Sequence, residues 1–586
     1  MSRNEILFFM ALLCGCCSFS AEQAVSSTPS SSDSRPNLLF LLSDDHAWDV
    51  MGHRGDPVAK TPHLDQMASD GVSFLNVHHS SPICLPSRAS IMSGRHESAC
   101  MVGFSYPYDR TFSVKEFRDT FPAVLRDAGY YTGYIGKYHF TVKDRKADKG
   151  TRINPLKVID GVPQPEREGC QLSSFFDVWR GVPGQGKYWN EGYYGTEKGK
   201  HASQVRADQA IAFLREAKGR REPFCLTVGF KAPHGPWREK ETVDPRFYEW
   251  YRDVQMPVRK NMTWADFQKL PDSVKAGYRG SGFNRDGKMS QLYLERTQES
   301  VPGQARGEAI PWERLSQIDD AESDAFDLYA YTYYRDEEAF QETQRVYYSL
   351  VSGMDHAIGR IRSELETLGL VDNTVVIYMS DNGSFLGARM LSGKELLYAE
   401  SARCPLIVVD PRLPETSHGV SSDTLLSTID IAPTLLELAG CEIPTAVQGR
   451  SIVTVFSNRS AVLHDAVLIE NHFTRMGWGS APESKRMKEE LGNFESRAVV
   501  TDRYKYIRYD NLNPVIEELF DLKADPDEST NVAANPEMEE VLERMRAHMR
   551  RITAQNDENR NTYSVPELAD DKMKSKPGVM TSLWDL

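Results

Sequence analysis

The stretch NLLFLLSDD at residues 37–45 decides the fold of this chain. Its consecutive apolar residues are typical of a short strand that is buried on both faces of a parallel sheet. Two aspartates follow directly, at the carboxyl end of the strand, where open α/β sheets bind their ligands. The stretch therefore predicts a central strand with an acidic site at its end.

Further apolar runs predict other strands of the same parallel sheet, at residues 131–135, 224–229, 374–380 and 405–409. Helices are predicted between and after them from start and stop residues, at 61–71, 120–129, 203–219, 343–368 and 430–440. This alternation predicts an α/β sandwich. Beyond residue 458, strands at 466–470, 496–501, 504–509 and 516–522 and a helix at 537–552 predict a small antiparallel sheet.

The N-terminus predicts export. Residues 1–20 carry Arg3 and then an apolar run, which indicates a signal peptide, and residues 21–35 resemble a flexible Ser-rich linker. The run is shorter than the roughly 20 residues that span a bilayer, so no transmembrane anchor is expected. Cys16 lies in a loose match to a lipoprotein signal. We expect a periplasmic, secreted or lipid-anchored protein.

Charge and cysteine content exclude other classes. The formal net charge of -14 argues against nucleic acid as a partner, because phosphate binding needs a basic surface. The cysteines beyond the signal are scattered and predict neither a disulfide framework nor a zinc site; they are Cys84, Cys100, Cys170, Cys225, Cys404 and Cys441.

Polar residues follow four of the predicted strands. They are Asp44 and Asp45, Lys137 and His139, His234, and Asp381 and Asn382. The two acidic pairs offer the hard oxygen ligands that Ca²⁺ or Mg²⁺ needs. One such pair alone is more often a turn or a helix cap, but a second pair at another strand end favours a metal site.

The string CLPSR at residues 84–88 resembles the C-x-P-S-R signature of the type I sulfatases. In that family a maturation enzyme oxidises the cysteine to formylglycine. Further matches in family order cover most of residues 36–535 and include KTPHLD at 60–65, APH at 232–234, SDNG at 380–383, Lys394 and ELFDL at 518–522. The chain departs from the family at His46, often Gln in relatives, and at 383–390, where an acidic-His-Gly element is missing.

The resemblance implies an alkaline-phosphatase-like α/β/α sandwich with a large mixed sheet, and a smaller C-terminal α+β domain with an antiparallel sheet. The catalytic domain would cover residues 36–457, and the C-terminal domain with its tail residues 458–586.

The resemblance also implies the site. Asp44, Asp45, Asp381, Asn382 and an oxygen of the modified Cys84 would bind one Ca²⁺, and Arg88, Lys137 and Lys394 would offset the negative charge and hold the sulfate. His234, aided by Lys394, would protonate the leaving alkoxide, and His139 would act as the base in sulfate elimination. The partner required is a formylglycine-generating enzyme or an anaerobic sulfatase-maturating enzyme.

We therefore expect a sulfatase that acts on a sulfated polysaccharide or oligosaccharide. Two alternatives stay open: a phosphonate or phosphodiester hydrolase on the same scaffold, and a non-catalytic glycan-binding protein in which Cys84 is not matured. Candidates for contacting the sugar are His53, Arg95, His96, Trp179, Arg180 and Arg389.

Overall fold

The computed structural model describes residues 35–561, apart from 105–107, 109, 144–156, 160–161, 165–171, 190–198, 238–239, 272–273, 275–336, 474–494, 511 and 513. The predicted signal peptide and all but the last residue of the predicted linker lie outside this range. Within the part described, no helix is both long and apolar enough to cross a membrane.

The strands are β1 Asn37–Asp44, β2 Val72–Phe74, β3 Val77–His78, β4 Thr111–Ser113, β5 Tyr131–Lys137, β6 Thr141–Lys143, β7 Lys157–Ile159, β8 Val162–Gln164, β9 Val178–Val182, β10 Phe224–Pro233, β11 Thr374–Ser380, β12 Leu406–Val409, β13 Val420–Ser422, β14 Leu426–Ser427, β15 Val467–Asn471, β16 Ser496–Val500, β17 Tyr504–Tyr509 and β18 Ile516–Asp521. The α-helices are α1 Pro62–Asp70, α2 Cys84–Ser93, α3 Glu97–Cys100, α4 Val114–Arg118, α5 Phe121–Asp127, α6 Ala202–Lys218, α7 Pro245–Tyr248, α8 Trp264–Lys269, α9 Glu337–Thr367, α10 Ala399–Ala402, α11 Ile431–Leu438, α12 Val453–Ser457 and α13 Glu539–Asn561.

The large sheet has the strand order β13-β2-β12-β11-β1-β10-β5-β9. The strands β11, β1, β10 and β5 run parallel, as the apolar runs predicted, and β9, which was not predicted, joins them in parallel. The prediction of a parallel strand at 405–409 is wrong, because β12 pairs antiparallel with β11 and with β2. An apolar run indicates that a strand is buried, but not in which direction the strand runs. The sheet is therefore mixed, which confirms the mixed sheet that the resemblance implied.

Both faces of β1 are covered, which explains why its residues 38–42 are all apolar. Successive side chains of a strand point to opposite faces. Leu39 and Leu41 pack into one core with residues of α6 and α9, while Leu38 and Phe40 pack into a second core with residues of α2, α5 and α11. The helices thus form layers on both sides of the sheet, and the polar end of β1 opens at its edge.

The predicted helices are present, with shifted ends. Helix α1 follows Thr61 and ends before Gly71, as predicted. Helix α6 is capped by the side chain of His201 instead of opening at Ser203. Helix α9 begins earlier than predicted, and α13 extends further at its C-terminus.

The strands β15 to β18 form an antiparallel sheet with neighbours in chain order. One face packs against α13 through Leu468 and Met545, and the other packs against the segment before α10 through Ile469 and Phe385. The boundary at 457/458 stays a prediction. Among the described residues, Cys84, Cys100, Cys225, Cys404 and Cys441 are all free thiols.

Candidate active site

The two acidic pairs lie side by side because of the strand register. Ser43 of β1 is the partner of Ser380 of β11, so the residues that follow these serines emerge together. The backbone N–H of Asp45 donates to Asp381 Oδ1 at 3.3 Å, and Asn382 Nδ2 donates to Asp45 Oδ1 at 2.7 Å. All four side chains are buried.

Two oxygen atoms of this cluster are buried without a hydrogen-bond partner in the described part of the chain. They are Asp44 Oδ1 and Asn382 Oδ1. Orphaned buried acceptors are costly and call for a ligand. Since three carboxylates and one amide oxygen form a hard donor set, the residues present fit a cation such as Ca²⁺. His234 also lies within reach of Asp44 and Asp45, in a group that could hold a metal.

Cys84 is the first residue of α2, and Arg88 lies one turn later on the same face. The Arg88 guanidinium is fully buried, and it donates to Asp381 Oδ2 at 2.7 Å and to the Lys137 carbonyl at 2.7 Å. Gly229 makes room for this contact, since a Cβ there would stand 2.4 Å from that carbonyl oxygen. Burial raises the pKa of Cys84.

Lys137 connects the acidic cluster to Cys84. Its ammonium donates to Asp44 Oδ2 and, at 2.8 Å, to Gln185 Oε1. The amide nitrogen of Gln185 in turn lies 4.0 Å from Cys84 Sγ. The sequence analysis missed Gln185, because no motif includes it. The two glycines that flank it, Gly184 and Gly186, both have positive φ in the structure.

Lys394 lies on the opposite side of the cluster and donates to Asp45 Oδ1. The backbone N–H of the next residue, Glu395, donates to the Pro82 carbonyl at 3.2 Å, which ties this segment to the loop before Cys84. Burial acts to lower the pKa of Lys394, but the negative charges around it outweigh burial and raise that pKa well above its usual value. The lysine is therefore held as a cation.

The carboxylates respond differently to burial. Burial also acts to raise the pKa of Asp44, but the charge of Lys137 and its neighbours holds it well below the usual range. Burial raises the pKa of Asp45, and it raises that of Asp381 to about 6, with the Asp44 charge adding to the shift. A bound cation would favour the ionised form of both.

The two histidines are partly buried at the edge of the site. His234 Nε2 lies 3.7 Å from Asp45 Oδ2, and its Nδ1 contacts the Gly235 carbonyl oxygen at 3.2 Å. His139 adopts a left-handed backbone, and its Nδ1 has no hydrogen-bond partner within the described residues. Burial lowers the pKa of both imidazoles well below the usual value, so both are neutral in the free site.

The residues that the sequence suggested as sugar contacts have other surroundings in the structure. Arg389 is buried beside Glu400 and donates to two backbone carbonyls after residue 526, and Arg95 donates to Asn559 of α13. Trp179 is buried in an aromatic cluster, and His53 pairs with Asp65. His96 is buried as well, while Arg180 donates to the Trp179 carbonyl. Their partners favour structural roles.

The sequence profile of the sulfatases matches residues 36–441, well over half of the chain. A second profile, described as N-sulphoglucosamine sulphohydrolase, C-terminal, matches residues 387–555. The chain therefore belongs to the sulfatase family. It is a sulfuric ester hydrolase, in accord with the geometry around Cys84.

Named relatives extend over nearly the whole chain. An N-acetylglucosamine-6-O-sulfatase of Bacteroides thetaiotaomicron is 28% identical, covering 86% of this chain and 83% of its own. A solved structure in complex with its substrate D-glucosamine-2-N,6-O-disulfate has a TM-score of 0.66 at 24% identity, covering 90% of this chain and 99% of its own. The phosphonate monoester hydrolase of Agrobacterium radiobacter has a TM-score of 0.63 at 20% identity, with 89% and 96% covered. The two structures support the fold alone.

Proposed function

We propose that this chain removes sulfate ester groups from sulfated saccharides, with Cys84, oxidised to formylglycine, at the centre of a Ca²⁺-dependent site. The observation that carries this proposal is the hydrogen-bonded chain from Cys84 through Gln185 and Lys137 to Asp44. The family's cysteine is thus linked to a buried acidic cluster in which two oxygens lack partners among the described residues, which supports a metal site there.

The unmodified thiol is a poor nucleophile in this pocket. Burial raises the pKa of Cys84, so the thiol stays protonated at neutral pH. Formylglycine, once hydrated to the diol, would supply a hydroxyl nucleophile, and Ca²⁺ held by Asp44, Asp45, Asp381 and Asn382 would supply the charge that makes this hydroxyl more acidic. We infer that Gln185 and Lys137 orient the side chain at position 84.

The basic residues explain how an anionic ester enters an acidic site. Three carboxylates exceed the two charges of one Ca²⁺, so a sulfate would be repelled without further cations. Arg88, Lys137 and Lys394 each pair with one of these carboxylates, so their charges lie within the cluster. We propose that they hold the sulfate oxygens, since each such contact is commonly worth about 3 kcal/mol.

We assign proton transfer to the leaving alkoxide to His234, aided by Lys394, and the base role in sulfate elimination to His139. In the free site burial lowers the pKa of His234 well below its usual value, so it holds no proton to give. The negative charge of a bound sulfate would raise that pKa, which couples the arrival of substrate to protonation of the acid. His139, neutral when free, is suited to accept a proton.

The names of the relatives support a carbohydrate substrate, and the predicted signal peptide supports export to the periplasm, the medium or the cell envelope. Maturation would require a formylglycine-generating or anaerobic sulfatase-maturating enzyme in the same cell. Assays on defined saccharides determine which sulfate position is cleaved.

The test is release of inorganic sulfate from a panel of defined sulfated saccharides, compared with hydrolysis of an aryl phosphonate monoester and an aryl phosphodiester. We expect kcat/KM to be higher for the sulfate esters, because the site lies in a sulfatase. Peptide mass spectrometry should find formylglycine at position 84.

The matched control is Cys100→Ala, a second buried free thiol, which should keep full activity. Cys84→Ala should lose activity by roughly 10³-fold or more, as removal of a covalent nucleophile does. A clear preference for the phosphorus esters would reject the sulfatase proposal, and unmodified Cys84 in active protein would reject the nucleophile.

A further inference from the structure

Lys231 differs from the other basic side chains around the site. It lies near the carboxyl end of β10 and is partly buried. Within the part of the chain that the structure describes, no carboxylate lies within ion-pair distance of its ammonium and no acceptor lies within hydrogen-bond distance. The contact found for the ammonium is with the ring of Tyr188, whose centroid is 4.9 Å away.

Lys231 belongs to the same rigid unit as the proposed general acid. Its carbonyl oxygen accepts from the backbone N–H of His234 at 2.9 Å. The hydroxyl of Tyr188 donates to the His234 carbonyl at 2.6 Å, so the ring beneath the ammonium is fixed to this turn. Burial lowers the pKa of Lys231 to about 8, and the nearby charges of Asp44 and Asp45 partly offset that effect.

An ammonium carries three donors, and in the described part of the chain no acceptor lies within hydrogen-bond distance of that of Lys231. The side chain is only partly buried, so these donors can reach a ligand that enters from solvent. The ring face of Tyr188 adds an attraction of about 0.5–2 kcal/mol but accepts none of the hydrogen bonds a ligand oxygen would. The sulfate that is cleaved already has Arg88, Lys137 and Lys394 to hold it. Lys231 instead shares a turn with His234, the residue assigned to protonate the leaving oxygen, which would bring its ammonium to the side of the saccharide.

We propose that Lys231 binds a second anionic group of the substrate, a sulfate or carboxylate on the saccharide from which the first sulfate is removed. This inference rests on the proposed function and deepens it. It makes Lys231 a specificity residue, and it predicts that the preferred substrates carry at least two negative charges.

The test compares wild type with Lys231→Met, which keeps chain length and removes the charge. The substrates are D-glucosamine-2-N,6-O-disulfate, a disaccharide of a uronic acid and 6-O-sulfated N-acetylglucosamine, and N-acetylglucosamine-6-O-sulfate as the singly charged reference. We expect Lys231→Met to lose roughly 10- to 100-fold in kcat/KM, mainly through KM, on whichever doubly charged substrate wild type prefers. Loss on the reference should stay below about threefold, within the small effects of a surface change.

Two further variants keep the result interpretable. Lys231→Arg should restore most of the preference, because it retains the charge. Lys60→Met is the matched control, since Lys60 also lies over aromatic rings, 5.3 Å from that of Tyr251, but outside the site. Its kinetic constants should not change.

Equal losses on the singly and doubly charged substrates, no loss on either, or no preference in wild type would overturn the assignment of Lys231. Wild type would still release sulfate in each of these cases. If wild type releases sulfate from none of the three substrates, both the proposed function and this inference are overturned.

Discussion

At the scale of the residue, the site depends on buried side chains whose charges and hydrogen-bonding groups are paired with one another and with the backbone. Arg88 is fully buried, and its charge is tolerated because Asp381 and two backbone carbonyls accept its hydrogen bonds. A lysine there would lose this fork of donors. Asp45 and His139 adopt backbones with positive φ, which cost of order 1–3 kcal/mol and occur mainly at functional sites.

His234 provides the sharpest residue-scale prediction. His234→Gln should lower kcat by roughly 10²- to 10⁴-fold on a saccharide sulfate, because the sugar alkoxide needs a proton to leave. The loss should be much smaller on 4-nitrophenyl sulfate, whose phenolate leaves without one. Steady-state kinetics on both substrates measure the difference.

His418→Gln is the control for that experiment, since His418 is an exposed histidine. It should leave both rates unchanged. If His234→Gln lowers the two rates by the same factor, His234 does not act as the acid and serves binding or packing instead.

At the scale of the element, the small antiparallel sheet supports the segment that carries Lys394. Phe385, Leu391 and Tyr398 of that segment share a core with Ile469 and Ile507 of the sheet. Two buried polar contacts reinforce this packing of the sheet against the segment. Lys505 pairs with Glu528 at 2.9 Å, and Glu528 accepts from the backbone N–H at the start of α10. The C-terminal sheet therefore takes part in positioning a lysine of the active site.

Glu518 makes the packing between the C-terminal sheet and this segment sensitive to pH. Its carboxyl is buried on β18 and accepts from the Tyr398 and Tyr509 hydroxyls at 2.8 and 3.1 Å. Burial raises its pKa from 4.5 to about 7. Between those values the folded protein binds more protons than the unfolded chain, so this group lowers the free energy of unfolding as pH rises through that window.

We expect Glu518→Gln to remove this contribution, which is roughly 3 kcal/mol at most. Denaturant unfolding of the variant should show a smaller decline in stability between pH 4.5 and 7 than wild type. Glu442→Gln, at an exposed position, serves as the control and should follow the wild-type curve. A variant curve parallel to wild type would contradict the assignment.

At the scale of the whole molecule, the metal site joins strands that lie far apart in the sequence. The acidic pairs after β1 and β11 are separated by more than three hundred residues, yet they are hydrogen-bonded to each other. A cation that binds only the folded chain should therefore stabilise it as a unit. The gain is about 2.7 kcal/mol when the free ion is at a hundredfold excess over Kd.

Removal of metal with a chelator should lower Tm and abolish sulfate release, and Ca²⁺ should restore both. Differential scanning calorimetry and an activity assay on the same samples measure the two effects. Asn382→Ala removes one of the unpartnered oxygens, so its Tm should respond less to Ca²⁺ than that of wild type. An unchanged Tm after chelation would reject a structural cation at this site.

The sequence by itself determined the features that depend on local chemistry. An apolar run such as residues 38–42 is expected to be buried, and the polar residues that follow it are expected to emerge at the sheet edge. For that reason the parallel strands, the acidic pairs and the CLPSR motif could be predicted without coordinates. The sulfatase family followed from the order of such motifs.

The tertiary structure decided what depends on distant neighbours. The direction of β12 follows from its pairing with β11 and β2, and burial patterns do not encode it. Gln185 is part of the site only because its loop folds over Cys84. Arg389 is less suited to contact the sugar than the sequence suggested, because it is paired with Glu400. Lys231 stands out because of the partner it lacks among the described residues. Such contacts arise between side chains remote in sequence, and their free energies depend on an environment that only folding creates.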